Sequence, residues 1–114
     1  MDGAFDEFLH VPARLTVVAL LAPTSWAEFG FLRDAAGTSD SALSKQLSAL
    51  AGKGYVELRK EKTTRAQRTL VRLTSEGRDA FRRHAAALER IAAAAHAPEP
   101  AADNTPGLRR AFGT

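Results

Sequence analysis

The sequence predicts a mainly α-helical fold with one small β-hairpin (α+β), and three observations carry the prediction. Leu43, Leu47 and Leu50 fall at i, i+4 and i+7, the spacing that puts one apolar stripe on a helix. A shorter helical segment ends just before it, with only Gly37 and Thr38 between them. Further on, Val56 with Leu58 and then Leu70, Val71 and Leu73 flank a polar connector at residues 59–68, the pattern of two strands joined as a hairpin.

With 114 residues the chain is long enough for one domain with a modest core and too short for two. An apolar fraction of 45% and a charged fraction of 25% place it among soluble globular proteins rather than disordered ones. No apolar run is long enough to span a bilayer, and the N-terminus lacks the basic start and apolar core of a secretory signal. Cysteine is absent, which excludes disulfides, thiolate metal sites and cysteine nucleophiles and fits a cytoplasmic protein. The net charge of +3 is unevenly placed. Residues 1–52 carry three basic and six acidic side chains, whereas residues 53–73 carry seven basic and two acidic. Such a local cationic patch is the electrostatic footprint of a nucleic-acid binder.

Taken in order, the first helix starts at Pro12, where a missing N–H costs nothing. Leu15, Val18, Ala19 and Ala22 give it helical spacing, and Val17, Leu20 and Leu21 widen its apolar surface. A helix apolar around most of its circumference is expected to be buried, partly by a second subunit. Pro23 ends it. Ser25 and Glu28 have capping-box spacing, so a second helix is expected over 26–36, ending at Gly37; a short strand around residues 25–27 is the alternative. Trp26 is expected to pack in the core.

Thr38, Ser39 and Asp40 are small oxygen-bearing residues suited to capping the third helix, over 39–52. Opposite its leucine stripe stand Ser41, Ser44, Lys45 and Ser48. A helix anchored on one side and small, polar and cationic on the other fits a DNA major groove, where hydroxyls and a lysine reach phosphates and base edges. Two helices in this succession form a helix-turn-helix, with the second helix reading the groove. The connector at 59–68 has neither Pro nor Gly and is mostly cationic or hydroxyl-bearing. A hairpin with such a tip beside a helix-turn-helix is a wing, fit to follow a phosphate backbone or place an arginine in a minor groove.

Thr74 caps the last helix, and Gly77 in its first turn, costly in a helix interior, is read as allowing close packing. Ala80, Phe81, His84, Leu88, Ile91 and Ala95 then run at helical spacing to about residue 96. The helix is long for so small a domain, and Phe81, Leu88 and Ile91 need a partner surface. The first helix of a second chain is the natural one. Residues 1–96 thus form one winged helix-turn-helix domain with terminal helices as a dimer interface, and residues 97–114, rich in Ala and Pro, a mobile tail.

Five segments, in order, resemble a known family. They are Phe-Asp-Glu-Phe-Leu-His-Val-Pro-Ala-Arg-Leu (5–15), Phe-Gly-Phe-Leu-Arg-Asp (29–34), Ser-Asp-Ser-Ala-Leu-Ser-Lys-Gln-Leu (39–47), Gly-Tyr-Val-Glu (54–57) and Leu-Thr-Ser-Glu-Gly-Arg (73–78). They look like the small winged-helix transcriptional regulators related to the MarR and ArsR families, over roughly residues 5–90. The resemblance implies a homodimer on a palindromic operator. It carries over as DNA contacts Ser39, Asp40, Ser41, Ala42, Ser44, Lys45 and Ser48 on the helix, and Lys62, Thr63, Thr64, Arg65 and Arg68 on the wing. The chain departs from the family at Ser41 and Ala42, where Gly-Asn is frequent, and at residues 64–67, where a Gly-Arg-Arg-Pro-like run is frequent. Both departures bear on the operator sequence more than on the fold.

The expected function is a sequence-specific regulator binding double-stranded DNA. The alternative is a winged helix that contacts another protein without touching DNA, against which the basic wing counts. RNA binding ranks third, since no aromatic residues are interleaved with the basic ones. No catalytic constellation stands out, so no enzyme is expected. His84 with Glu76 or Asp79 is a conceivable metal pair, but a histidine on a helix face is expected to be surface or interface. No cofactor or metal is expected, and no residue marks a small-molecule effector.

Overall fold

The computed structural model describes residues 3–96, so the tail expected at 97–114 lies outside the described residues. The order of elements is α1 (Pro12–Leu21), β1 (Ala27–Glu28), α2 (Phe29–Ala36), α3 (Asp40–Gly52), β2 (Val56–Lys62), β3 (Gln67–Leu73) and α4 (Ser75–Ala95). The three strands form one antiparallel sheet in the order β1-β3-β2. This is the expected α+β arrangement of a helix-turn-helix followed by a wing. No helix among the described residues is long and apolar enough to cross a membrane.

The core gathers one face from each element. Val17, Val18 and Leu21 of α1 meet Leu32 of α2, the Leu43–Leu47–Leu50 stripe of α3, Val56, Val71 and Leu73 of the sheet, and Ala80 of α4. Leu9, preceding α1, is fully buried with them. Burying a leucine in this way stabilises the fold by about 1.5–3 kcal/mol. Pro12 opens α1 as its first helical residue. Within the single chain part of this helix stays open: Thr16 and Ala19 are exposed and Leu15 and Leu20 half-buried. They line, with His10 and Pro12, an open groove of about 540 Å³.

The second helix starts three residues later than the capping-box spacing suggests. Ala27 and Glu28 pair with Val71 and Leu70 of β3, which satisfies their backbone groups in a ladder and buries Ala27. The alternative strand is therefore the one that forms, at Ala27–Glu28 rather than 25–27. Glu28 becomes the N-cap residue without a side-chain cap, because its carboxylate is drawn away to Arg68 at 3.2 Å. Gly37 closes α2 in the left-handed region at φ 66°, a conformation that a Cβ disfavours.

The strands of the wing also extend further than expected. The ladder runs from Val56 opposite Leu73 out to Lys62 opposite Gln67, so the loop is only residues 63–66. Thr63 holds that loop: its N–H donates to the Ala66 carbonyl at 2.8 Å, and its Oγ1 accepts from the Ala66 N–H at 3.0 Å. Apolar alternation vanishes beyond Leu58 because the outer wing has no core to face, while the backbone ladder continues regardless.

Two side chains lie where the sequence did not place them. Trp26 is half-buried rather than in the core, with the guanidinium of Arg59 4.4 Å and that of Arg72 4.9 Å from its ring. An indole face attracts cations electrostatically and tolerates water at its edge, so it roofs the outer face of the sheet. His84, expected at the surface or an interface, is fully buried within the single chain. Its ring nitrogens go to the Asp6 backbone N–H and to His10, and Asp79 is taken up by Arg82 and Arg83.

α4 is capped as expected, Thr74 Oγ1 accepting from the Gly77 N–H at 3.0 Å and donating to the Gly54 carbonyl at 2.6 Å. A Cβ on Gly77 would overlap the backbone of Tyr55, so the close packing inferred from sequence is present. Helix propensity alone makes Gly77→Ala stabilising by about 1 kcal/mol, whereas overlap with rigid backbone makes it destabilising by about 1–3 kcal/mol. We expect the steric effect to win. Urea unfolding measures it, and an unchanged or raised midpoint for Gly77→Ala would show that the helix and strand are not in the contact described.

Candidate nucleic-acid interface

The α3 helix presents its polar face because its apolar one is pinned. Leu43, Leu47 and Leu50 are essentially without exposure, and the helical period turns Ser41, Ala42, Ser44, Lys45 and Ser48 outward, all exposed. Ser39 caps the helix, its Oγ accepting from the Ala42 N–H at 3.2 Å. Asp40 is engaged by Arg33 of α2, whose guanidinium donates to Asp40 at 2.8 Å and to Asp34 at 2.9 Å. These two carboxylates, Asp34 foremost, hold the Arg33 guanidinium even more firmly protonated than usual. The bridge ties the N-terminus of α3 to α2 across the turn.

The wing lies beside this face. Ser44 lines two hollows between helix and sheet. One, of about 440 Å³, also includes Arg33, Gln67 and Arg68; the other, of about 200 Å³, includes Ser48, Lys60 and Thr69. Lys60 and Thr69 are cross-strand partners on the sheet face that continues from Leu58 and Val71, which is why they turn toward α3. The helix face and the wing therefore adjoin, with Phe29, Leu47 and Leu58 also lining the smaller hollow between them.

The twelve residues expected to contact DNA fall into two groups. Ser41, Ala42, Ser44, Lys45, Ser48, Lys62, Thr64 and Arg65 are exposed. Among the described residues no carboxylate pairs with Lys45, Lys62 or Arg65. The other four already have work inside the fold. Ser39 caps α3, Asp40 holds Arg33, Thr63 organises the wing loop, and Arg68 spans the sheet to reach Glu61 at 2.9 Å and Glu28 at 3.2 Å. Glu61, followed by Glu28, holds the Arg68 guanidinium more firmly protonated as well. Sequence reasoning missed Arg33, Lys60, Gln67 and Thr69. Strand alternation carried out from Val71 to Thr69 would have found the last, with Lys60 opposite it; Arg33 had no signal beyond its charge.

Comparison with known proteins agrees with this geometry. A family model described as "Winged helix DNA-binding domain" matches residues 13–92. An uncharacterised protein of Methanocaldococcus jannaschii is 30% identical over 71 residues, covering 62% of this chain and 77% of that protein. A transcriptional regulator homologue of Pyrococcus horikoshii superposes with a TM-score of 0.74 at 24% identity, covering 78% of this chain and 88% of that one. A MarR-family transcriptional regulator of Silicibacter pomeroyi superposes with a TM-score of 0.56 at 24% identity, covering 93% of this chain and 67% of that one. The fold is that of these regulators.

The cap on α3 is open to a direct test. Ser39→Ala removes one acceptor from an exposed helix start, and we expect a loss of about 1 kcal/mol in equilibrium unfolding. Faster hydrogen exchange at the Ala42 amide should accompany it. An unshifted unfolding curve with unchanged Ala42 exchange would mean that the cap does not hold in solution.

Proposed function

The chain belongs to the winged helix DNA-binding domain family, and from this we propose that it is a sequence-specific regulator of transcription that binds double-stranded DNA as a homodimer. One observation carries the reading: the small, polar, cationic face of α3 and the basic wing adjoin each other through Ser44, Lys60 and Thr69. The exposed face of α3 enters the major groove, with Lys45 and the hydroxyls of Ser41, Ser44 and Ser48 against base edges and phosphates. The wing follows the neighbouring backbone, led by Lys62 and Arg65, with Arg65 at the turn suited to the minor groove. Arg68 reaches a phosphate only by leaving Glu61 and Glu28. Such exposed pairs are weak, so the exchange costs little.

A second protomer would cover the groove on α1 and the outward residues of α4, where Ile91 is 49% exposed. Joining these faces would set two α3 helices apart for a two-fold operator. On this reading the protein is a cytoplasmic regulator rather than an enzyme.

Fluorescence anisotropy with duplex DNA from the protein's own promoter region, with excess random duplex as competitor, tests the proposal. Binding that survives the competitor, with two protomers per site, is expected; binding abolished by it would leave only a basic surface. In the same assay Arg65→Ala should weaken all duplexes similarly and flatten the salt dependence by about one unit. Arg68→Ala should flatten it by less, because its charge is offset by two carboxylates. An unchanged slope in the double variant would remove the wing from the binding surface.

A further inference from the structure

Residues 3–10 form an arm against α4, anchored in the core by Leu9 and fastened to α4 by a pair of histidines. Nδ1 of the buried His84 ring accepts from the Asp6 backbone N–H at 3.0 Å, and Nε2 lies 3.3 Å from Nδ1 of His10. A backbone N–H only donates, so His84 Nδ1 is a bare lone pair and the ring proton sits on Nε2. That proton points at His10 Nδ1, which must be bare in turn. The contacts therefore fix one tautomer for each ring and hold only while both are uncharged. A proton on His10 Nδ1 sets two N–H groups face to face; one on His84 Nδ1 does the same against Asp6. The ring of Phe5 lies 4.7 Å from each imidazole, centre to centre, so it packs against both.

The groups around the pair come from three elements. The arm brings the Asp6 carboxylate, which accepts from the Tyr55 hydroxyl at 2.7 Å and the Leu9 N–H at 3.0 Å. Burial alone would raise the Asp6 carboxyl, but these bonds, with one from the Phe8 N–H, hold it below its ordinary range. Tyr55 comes from the turn before β2; burial and Asp6 push its phenol up to about 12, so it remains a neutral donor. α4 adds Arg83 and Glu76, whose charges act on Tyr55 with opposite sign. Burial and then His10 push the His84 imidazole down, against the pull of Asp6.

The arm also reaches the helix that reads DNA. Its Phe8 lies under the Arg14 guanidinium at 4.3 Å, and the Phe8 carbonyl accepts from Arg14 at 3.2 Å. Arg14 in turn donates to the Gln46 side chain on α3 at 3.0 Å. We propose that His10 and His84 are a proton-operated latch: uncharged, they dock the arm and brace α3 through Arg14; charged, they release both. Its regulatory meaning rests on the DNA-binding reading above. The sign follows from burial. A histidine that binds its proton more weakly when docked favours the docked arm fully above about pH 6.5, its free value, and gives up that advantage as pH falls below it.

Nuclear magnetic resonance of the ¹⁵N-labelled full chain tests the latch between about pH 8 and about pH 5, the range that spans histidine titration. We expect His84 to carry its proton on Nε2 at the upper end. As the ring charges, protection of the Asp6 amide, corrected for intrinsic exchange, should fall by about tenfold or more, and the Gln46 side-chain amide should shift in the same step. His84→Asn keeps an acceptor near the Nδ1 position without a titrating ring, and should make the Asp6 protection independent of pH. Should that variant not fold, His10→Asn at the exposed partner removes the facing ring, and Asp6 protection should still fall as His84 charges. A proton on His84 Nδ1 at neutral pH, or Asp6 protection unchanged while the ring titrates, would overturn the latch. DNA affinity measured alongside should fall about threefold or more through the same step; a flat affinity while the arm releases would overturn the brace on α3. Absence of DNA binding at every pH would instead count against the regulator reading, because the ring and amide signals need no DNA.

Discussion

The rest of the structure depends on the burial of three leucines on α3. Leu43, Leu47 and Leu50 sit among α1, α2 and the sheet with essentially no exposure, and this contact fixes how α3 is rotated about its axis. Helical geometry then decides the outer face without further help: the residues between the leucines must point away from the core. A rotation by one residue, about 100°, would bury Ser44 and Ser48, or Ala42 and Gln46, and expose a leucine, so the presentation of Ser41, Ser44, Lys45 and Ser48 is as secure as the core itself. The Arg33–Asp40 bridge and the Ser39 cap act on the end of a helix that is already placed.

The polar residues around this frame divide by what they do. Some are committed: Ser39 to a cap, Thr63 to a turn, Asp40 and Arg68 to ion pairs within the protein. Others, Lys45, Lys62 and Arg65 among them, project from the surface without an ion-pair partner among the described residues. A family-wide pattern of residue types does not separate these two groups, because a committed arginine and an open one read alike. The separation matters for energetics. An open cation adds its full charge to an approaching phosphate, whereas Arg68 must first give up two carboxylates.

How much was legible in the sequence depended on the range of the interactions involved. The α3 stripe, the Pro12 start of α1, the Thr74 cap and the close packing at Gly77 are written in local spacing, and they stand as read. The start of α2 was misplaced because Ser25 and Glu28 satisfy a local capping pattern that loses to a longer-range one, the pairing of residues 27–28 with β3. The wing strands were drawn short because apolar alternation stops where the core stops, although the ladder continues. Trp26 and His84 were misjudged because their partners lie far along the chain: Arg59 and Arg72 for one, Asp6 and His10 for the other. A histidine on a helix face reads as surface until the segment that covers it is known.

The central claim is that α3 enters the major groove of a two-fold site, and methylation protection at guanine N7, a major-groove atom, tests it most directly. On a duplex that the protein binds in the presence of competitor, the account predicts two protected clusters centred about one helical turn, roughly 10 base pairs, apart. Bound DNA whose guanines remain fully reactive at N7 would contradict it, because the protein would then be holding the backbone without reading the groove.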